Sequence, residues 1–202
     1  MAETLIVVDD EDAKAGFFFK ACQEAMSSYF LSKNITYSVY TSPQIHHTAV
    51  AAFAEGREKF ILGAFSHGNS EELTKRSQPY ISNNVNGVSL SGGFIYTFAC
   101  SSGKVLGEQL TNEKGVLCYI GYSNKIHIWD NDYFGAFVEC ATIGLKKFFD
   151  GSSSMEIIEL IKERINEEID KIYMSNYLVA ADLRRNRDSL VIFGKEVSLT
   201  DF

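Results

Sequence analysis

The sequence predicts an α/β fold in which about six strands form a mostly parallel sheet with helices on both faces. Short apolar runs of strand length alternate along the chain with longer segments whose apolar residues recur at helical spacing. Such alternation is typical of a parallel sheet that is covered on both sides. With 202 residues, 46% of them hydrophobic, the chain can bury one large core but is short for two domains. We therefore predict one domain over residues 1–202.

Four strands are predicted in the first half of the chain. They are the runs TLIVV (4–8), ITYSVY (35–40), FILGAF (60–65) and FIYTFA (94–99). Apolar residues four apart predict a helix over 12–31, and a second helix is expected to start at Pro43 behind a Ser42 cap and to end near Gly56. The polar residues 70–93 fit a surface connection with a short hairpin around Asn86 and Gly87.

The second half predicts further helices and two more strands. A short helix through Val105 and Leu110 precedes a fifth strand over 116–121, and SLVIF (189–193) forms the last strand. Two longer helices are expected over 132–149 and 154–173. Isoleucines recur on one face of the second helix, which indicates packing against the sheet rather than partner binding.

Composition and charge exclude several functional classes. A net charge of −7 and a pI near 5.1 argue against nucleic-acid binding. No apolar run approaches the roughly 20 residues that cross a bilayer, and the acidic first residues differ from a secretory signal, so we expect a cytoplasmic protein without membrane contact. The four cysteines lack CxxC spacing and His46 directly precedes His47, so we expect no disulfide, metal or cofactor.

Two residues with catalytic potential follow neighbouring predicted strands. His67 lies in Ser-His-Gly-Asn after the third strand, and Cys100 begins Cys-Ser-Ser-Gly after the fourth. Ligands of parallel sheets bind beyond the carboxyl ends of the strands, so these side chains could converge there. A thiolate at Cys100 could attack a peptide carbonyl while His67 transfers the proton, with the backbone N–H groups of Gly68 and Cys100 as oxyanion donors. A cysteine and a histidine in separate segments are weak evidence alone, because both often have only structural roles.

The local sequence at these two strand ends strengthens the prediction. An apolar strand followed by Ser-His-Gly, and another followed by Ala-Cys-Ser-Ser-Gly, resembles the caspase-like (clan CD) cysteine peptidases. Within them the chain is most similar to the CHAT-domain proteases, relatives of separase, gingipain and the bacterial caspase-like enzymes. The resemblance implies a caspase-like three-layer sandwich, thiol protease activity through Cys100 and His67, and a role in antiviral defence.

The resemblance extends over most of the chain after the second predicted helix. The helix and strand between Gly103 and Gly121, the aromatic helix that follows, and the closing run LVIFG (190–194) occur in the family's order. There are two departures. Lys195-Glu196 replaces the usual Asp-Pro after the final glycine, and the interval from His67 to Cys100 is short compared with caspases.

Acidic residues predict the substrate preference. In the resembled group, the residue after the first strand commonly lines the pocket for the side chain that precedes the cut bond, and here the acidic run Asp9-Asp10-Glu11-Asp12 holds that place, with Asp12 just before the first predicted helix. A carboxylate there would pair with Arg or Lys, so we predict cleavage after a basic residue, with Asp10 as first candidate. Asp130 and Asp132 are competing candidates, and Trp129 could form a pocket wall. The same acids could equally be solvated loop residues or charges at a helix N-terminus.

Other functions were weighed against a peptidase. LIVVDDE (5–11) also resembles the start of a response-regulator receiver domain, but the third strand lacks the terminal acceptor Asp of such domains. A dinucleotide-binding enzyme would need GxGxxG after the first strand. The strongest alternative is a catalytically silent caspase-like scaffold or regulatory module. Besides a protein substrate, we expect a regulatory protein partner or another trigger, and residues 70–93 are either a regulatory loop or a plain connector.

Overall fold

The structure, a computed structural model, describes residues 3–130 and 132–202. Its strands are β1 (Thr4–Val8), β2 (Ser38–Thr41), β3 (Phe60–Phe65), β4 (His67–Gly68), β5 (Glu72–Lys75), β6 (Gln78–Ser82), β7 (Gly93–Phe98), β8 (Cys118–Tyr122) and β9 (Leu190–Gly194). Six of them form the main sheet in the order β2-β1-β3-β7-β8-β9, and β4, β5 and β6 form a small antiparallel sheet. All neighbours in the main sheet are parallel except β8 and β9. The predicted mostly parallel sheet of about six strands is confirmed.

Helices cover both faces of the main sheet. They are α1 (Gly16–Ser32), α2 (His47–Ala54), α3 (Leu106–Glu113), α4 (Phe134–Phe149), α5 (Ser154–Ile172) and α6 (Tyr177–Asp188). Buried residues of α1, α4, α5 and α6 share one apolar cluster, and those of α2 and α3 share another. None of the helices in the described ranges is long and apolar enough to span a bilayer.

The central strands contribute to both clusters. In β1, Ile6 and Val8 face the first cluster, whereas Leu5 and Val7 face the second, and all four side chains are fully buried. Successive side chains of a strand point to opposite faces, so a strand that is covered on both sides is apolar at most positions. This is why β1, β3 and β7 occur as continuous apolar runs in the sequence.

The segment after β2 differs from the prediction. Residues Ser42–Gln44 form a single 3-10 turn and α2 begins only at His47, where the His46 ring accepts the N–H of Ala49 at 3.2 Å. The Ser42 hydroxyl does not cap a helix but donates to the Asp9 carboxylate at 2.9 Å. A tertiary contact therefore occupies the group that the prediction assigned to a helix cap.

The predicted position of the hairpin was wrong, and one helix was not predicted. The hairpin in the 70–93 connection is β5 and β6, and its turn is at Arg76 and Ser77, whose φ angles of 47° and 65° suit a two-residue hairpin turn. Residues Gly87–Leu90 instead form a 3-10 turn. The sequence also gave no indication of α6, whose buried apolar residues are few and whose second half is strongly charged.

Candidate active site

His67 and Cys100 lie at the same edge of the main sheet. Strand β3 is parallel to β7 with Phe65 aligned to Phe98, and each candidate residue comes two positions after its aligned phenylalanine. Adjacent strands are about 4.8 Å apart, so the two segments leave the sheet side by side. Both side chains line one cavity of about 250 Å³. The two residues that the sequence singled out therefore share one cavity.

The turn that carries Cys100 is fixed by close local contacts. Ser101 has a left-handed backbone conformation with φ 57°, which is uncommon for a residue other than glycine. The Ser102 hydroxyl donates to the carbonyl of Ala99 at 3.1 Å, and the N–H of Gly103 donates to Tyr122 at 2.9 Å. The Cys100 sulfur accepts the backbone N–H of Ile126 at 3.3 Å. The thiol is thus held toward the cavity by the turn and by a loop that follows β8.

Cys100 differs from the other three cysteines in its exposure. All four cysteines lie in the described ranges, and Cys22, Cys118 and Cys140 are buried whereas Cys100 is partly exposed. Burial raises the pKa of Cys118 to about 11 and that of Cys140 to about 12, and raises that of Cys22 as well. Because the thiolate is the nucleophilic form, the three buried thiols are poor nucleophiles.

A carboxylate that sequence reasoning did not assign to catalysis orients His67. The His67 Nε2 atom lies 3.1 Å from Asp12 Oδ1, and the ring packs edge-on against Phe19. If Nε2 carries the proton donated to Asp12, Nδ1 is the nitrogen left for proton transfer in the cavity. Asp12 Oδ1 also accepts the N–H groups of Lys14 and Ala15 at 2.9 and 2.7 Å. The turn before α1 thereby fixes the carboxylate that faces the histidine.

The two acids at this strand end have opposite pKa shifts. Partial burial acts to raise the pKa of Asp12, but the N–H of Ala15 and the His67 ring outweigh it and lower the pKa below its usual range. Asp9 is fully buried, and this desolvation raises its pKa even though the Ser42 hydroxyl and His67 favour its charged form. Among the described residues, none forms a hydrogen bond with the Oδ2 atom of Asp9. Asp12 is therefore well suited to remain charged beside His67, and Asp9 is not.

One group of side chains could hold a cation. Ligand atoms of Asp9, Asp12 and His67 all lie within 4.8 Å of one another. Two carboxylates and an imidazole form a donor set that zinc accepts.

The residues predicted to bind substrate lie outside the lining of the cavity. Asp10 accepts the Ser42 N–H at 2.9 Å, and Trp129 donates its indole N–H to Asp182 at 3.0 Å. Asp130 and Asp132 are exposed. None of these four, nor the buried Asp9, is among the residues that line the cavity in the described part of the chain.

The cavity wall is mostly apolar. Its lining residues are Lys14, Ala15, Phe19, Ser66, His67, Phe98, Ala99, Cys100, Lys125, Ile126 and Ile128. Two lysines, Lys14 and Lys125, are among these lining residues. The sequence did not indicate the part played by Ile126 and Ile128, because they follow β8 in a segment without regular structure.

The backbone of Gly68 lies against the backbone of Ala99 and Cys100. A Cβ atom at this position would be 3.1 Å from both the Cys100 carbonyl oxygen and the Ala99 Cβ atom. Such a contact is tighter than normal van der Waals packing, so the glycine allows the two segments to approach. The predicted oxyanion donors, the N–H groups of Gly68 and Cys100, thus belong to neighbouring backbone segments.

The sheet order and the covering helices define the chain as a caspase-like α/β fold. The complex of the RgpB pro- and mature domains from Porphyromonas gingivalis matches with a TM-score of 0.59 and 10% identity, over 96% of this chain and 47% of that one. The Arg-specific cysteine proteinase gingipain R (RgpB) matches with a TM-score of 0.57 and 11% identity, over 96% and 46%. At this identity the likeness shows the fold alone, and the chain spans about half the length of these neighbours. No family model and no curated protein matches the sequence.

Proposed function

We propose that this chain is a cysteine endopeptidase with Cys100 as nucleophile, His67 as general acid and base, and Asp12 as the residue that orients His67. The observation that carries the proposal is the shared cavity at the ends of β3 and β7, which a partly exposed thiol and a carboxylate-bound imidazole both line. The fold agrees with this chemistry, because a structural neighbour is described as a cysteine proteinase. The closer resemblance to CHAT domains stays a prediction from the strand-end motifs.

The chemistry proceeds in two steps. The Cys100 thiol gives its proton to His67, and the sulfur attacks the peptide carbonyl carbon to form a tetrahedral oxyanion. The backbone N–H groups of Gly68 and Cys100 are the proposed oxyanion donors. The C–N bond then breaks, the amine leaves with the proton from His67, and a thioester remains. Water, deprotonated by His67, attacks the thioester, which releases the acid and restores the thiol.

Cleavage after Arg or Lys is the first candidate specificity. It is supported by the acidic residues that follow β1, and one structural neighbour is described as Arg-specific. The cavity lining favours a second candidate, an apolar or acidic residue. Its walls are mostly carbon, and the amines of Lys14 and Lys125 would attract a carboxylate and repel a basic side chain. Cleavage of a fluorogenic peptide library that varies the residue before the cut bond separates the two candidates.

The nucleophile is tested by one substitution and a matched control. We expect Cys100→Ala to abolish peptide cleavage while the thermal unfolding temperature stays close to that of the unaltered chain. Cys118→Ala removes a buried thiol of β8 instead and should keep the activity, provided the protein folds. Residual cleavage by Cys100→Ala, freed of contaminating peptidase, would refute the nucleophile assignment.

We also propose that the peptidase activity is restrained until a regulatory protein partner or another trigger releases it. A cytoplasmic location and a role in antiviral defence are further parts of the proposal. A structural neighbour is described as a complex of pro- and mature domains, which provides a precedent for a peptidase of this fold bound by another domain. If the purified chain alone cleaved its best peptide with kcat/KM above about 10⁴ M⁻¹s⁻¹, a typical value for active enzymes, restraint would be wrong. If the chain cleaved nothing under any condition, the alternative of a silent scaffold would be favoured.

A further inference from the structure

We infer that Asn186 and Asp182 of α6 are positioning residues, which hold loop 123–130 against Cys100 and thereby set the thiol's hydrogen bond and one wall of the cavity. The inference rests on the proposed function, in which Cys100 is the nucleophile and the cavity binds substrate. Neither residue touches the thiol. They act through the backbone of the loop.

Loop 123–130 contacts the nucleophile directly. The N–H of Ile126 donates to the Cys100 sulfur at 3.3 Å, and the carbonyl of Asn124 accepts the N–H of Ser101 at 2.9 Å. The side chains of Lys125, Ile126 and Ile128 line the cavity. The Ile126 N–H thus fixes the position of the Cys100 sulfur, which is the attacking atom in the proposed function. A shift of this loop would therefore change both the thiol's reactivity and the shape of the cavity.

Loop 123–130 contains no strand or helix, and the side-chain amide of Asn186 holds its backbone in place. Asn186 accepts the N–H of His127 at 2.9 Å and donates to the carbonyl of the same residue at 2.7 Å. Asn186 is 3% exposed, so these bonds lie away from solvent. An amide offers a donor and an acceptor on one planar group, which a carboxylate or a hydroxyl of similar size cannot place in the same way.

Asp182 adds a second attachment one helical turn before Asn186. Its Oδ2 atom accepts the indole N–H of Trp129 at 3.0 Å, and its Oδ1 atom lies 3.5 Å from His127 Nδ1. At the end of α6, the carbonyl of Ser189 accepts the N–H of Ser123 at 2.7 Å. The helix thus holds the loop near its start, at its middle and near its end.

The helix is itself anchored in the core. Val179, Ala180 and Leu183 of α6 are buried in the apolar cluster that also contains α4 and α5. The polar residues Asp182 and Asn186 lie one turn apart on the same helix and both contact the loop. The loop is therefore held by a packed element, and α6 forms a physical connection between the α5–α6 turn and the nucleophile.

The test variant is Asn186→Asp, which keeps the shape and removes the donor to the His127 carbonyl. We expect backbone hydrogen exchange at Ile126 to become at least tenfold faster, alkylation of Cys100 by iodoacetamide to change at least threefold, and kcat to fall more than KM changes. Asn176→Ala is the matched control. Asn176 caps α6 by accepting the N–H of Val179 at 3.2 Å, so its loss weakens the helix without removing a bond to the loop.

Two results would overturn the inference. One is unchanged Ile126 exchange and unchanged Cys100 alkylation in folded Asn186→Asp, and the other is an equal effect of Asn176→Ala. Should Asn186→Asp fail to fold, Trp129→Phe removes only the indole N–H that Asp182 accepts and should shift both readouts in the same direction. Exchange and alkylation need no peptide substrate, so they test the inference even if the chain cleaves no peptide and the proposed function fails.

Discussion

Replacing Asp12 with asparagine removes one negative charge from the proposed site and leaves its hydrogen bonds in place. The Oδ1 atom of Asp12 accepts from His67, Lys14 and Ala15 at 3.1, 2.9 and 2.7 Å, and an asparagine oxygen in the same position can accept all three. The turn before α1 should therefore keep its shape. What changes is the electrostatic support for a positively charged His67, which forms when the thiol gives up its proton.

The size of the effect follows from the geometry of the pair. A hydrogen bond to a charged group contributes about 1.5–3 kcal/mol, against about 1 kcal/mol for a neutral pair. The side chains of His67 and Asp12 are 40% and 20% exposed, so solvent screening places the difference between the charged and the neutral hydrogen bond near the lower end of its range, at about 0.5–1 kcal/mol. At about 1.4 kcal/mol per tenfold change in rate, we expect kcat/KM to fall roughly 2- to 5-fold.

The assay compares kcat/KM on one fluorogenic peptide for the unaltered chain and Asp12→Asn, with the rate of Cys100 alkylation as a second readout. Asp150→Asn is the control, because Asp150 also bears a lowered pKa, here from Lys33 and Tyr29, and does not line the cavity. We expect full activity in that variant. A kcat/KM for Asp12→Asn within twofold of the unaltered chain would refute a role for the Asp12 charge in catalysis.

Three further predictions address cofactors, acid dependence and packing. Cleavage should be unaffected by EDTA, since Cys100 and His67 supply the reacting groups in the proposed mechanism, and loss of activity that zinc or calcium restores would show a metal requirement. Asp9→Asn should raise the unfolding temperature at pH 7 and lose this advantage below about pH 4, the ordinary range of carboxyl groups. Burial raises the Asp9 pKa in the folded state, so the buried carboxyl group stabilises the unaltered chain below the unfolded-state pKa, and this contribution is lost as pH rises through the folded-state pKa. A lower unfolding temperature of Asp9→Asn than of the unaltered chain at pH 7 would contradict this. Ile161→Ala should lower the free energy of unfolding by about 2–5 kcal/mol in urea titrations, because Ile161 is fully buried against α4, and a loss under 1 kcal/mol would mean that the site collapses to fill the cavity.

The central strands and the positions of His67 and Cys100 were predictable because they depend on local pattern and on one rule of topology. A strand buried on both faces is mostly apolar, and β1, β3 and β7 are buried at every position with Thr4 and Thr97 as their polar residues. Parallel strands end at the same edge of their sheet, so residues that follow them meet there. Knowledge of the loops was not needed for either inference.

The remaining parts of the site depend on loops, and no periodic pattern in the sequence predicts the shape of these loops. The Asp12 contact with His67 requires the turn before α1, in which Asp12 also has the helix-entry role that sequence reasoning considered for it. Helix α6 offers only a short apolar stripe, so neither it nor its contacts with loop 123–130 could be predicted. The cavity lining depends on that same loop. Whether Asp10 binds substrate stays a prediction.

The most direct test of the central claim is mass spectrometric mapping of an irreversible peptide electrophile on the chain, with reagents that carry Arg, Lys, Leu or Asp at the reactive end. We expect one adduct per chain, located on Cys100 and absent from both Cys100→Ala and His67→Ala. The rate of adduct formation with each reagent would also decide between cleavage after a basic residue and cleavage after an apolar or acidic residue. No adduct on Cys100 with any reagent, with and without cell extract as a source of activating partners, would contradict the assignment of this chain as a cysteine peptidase.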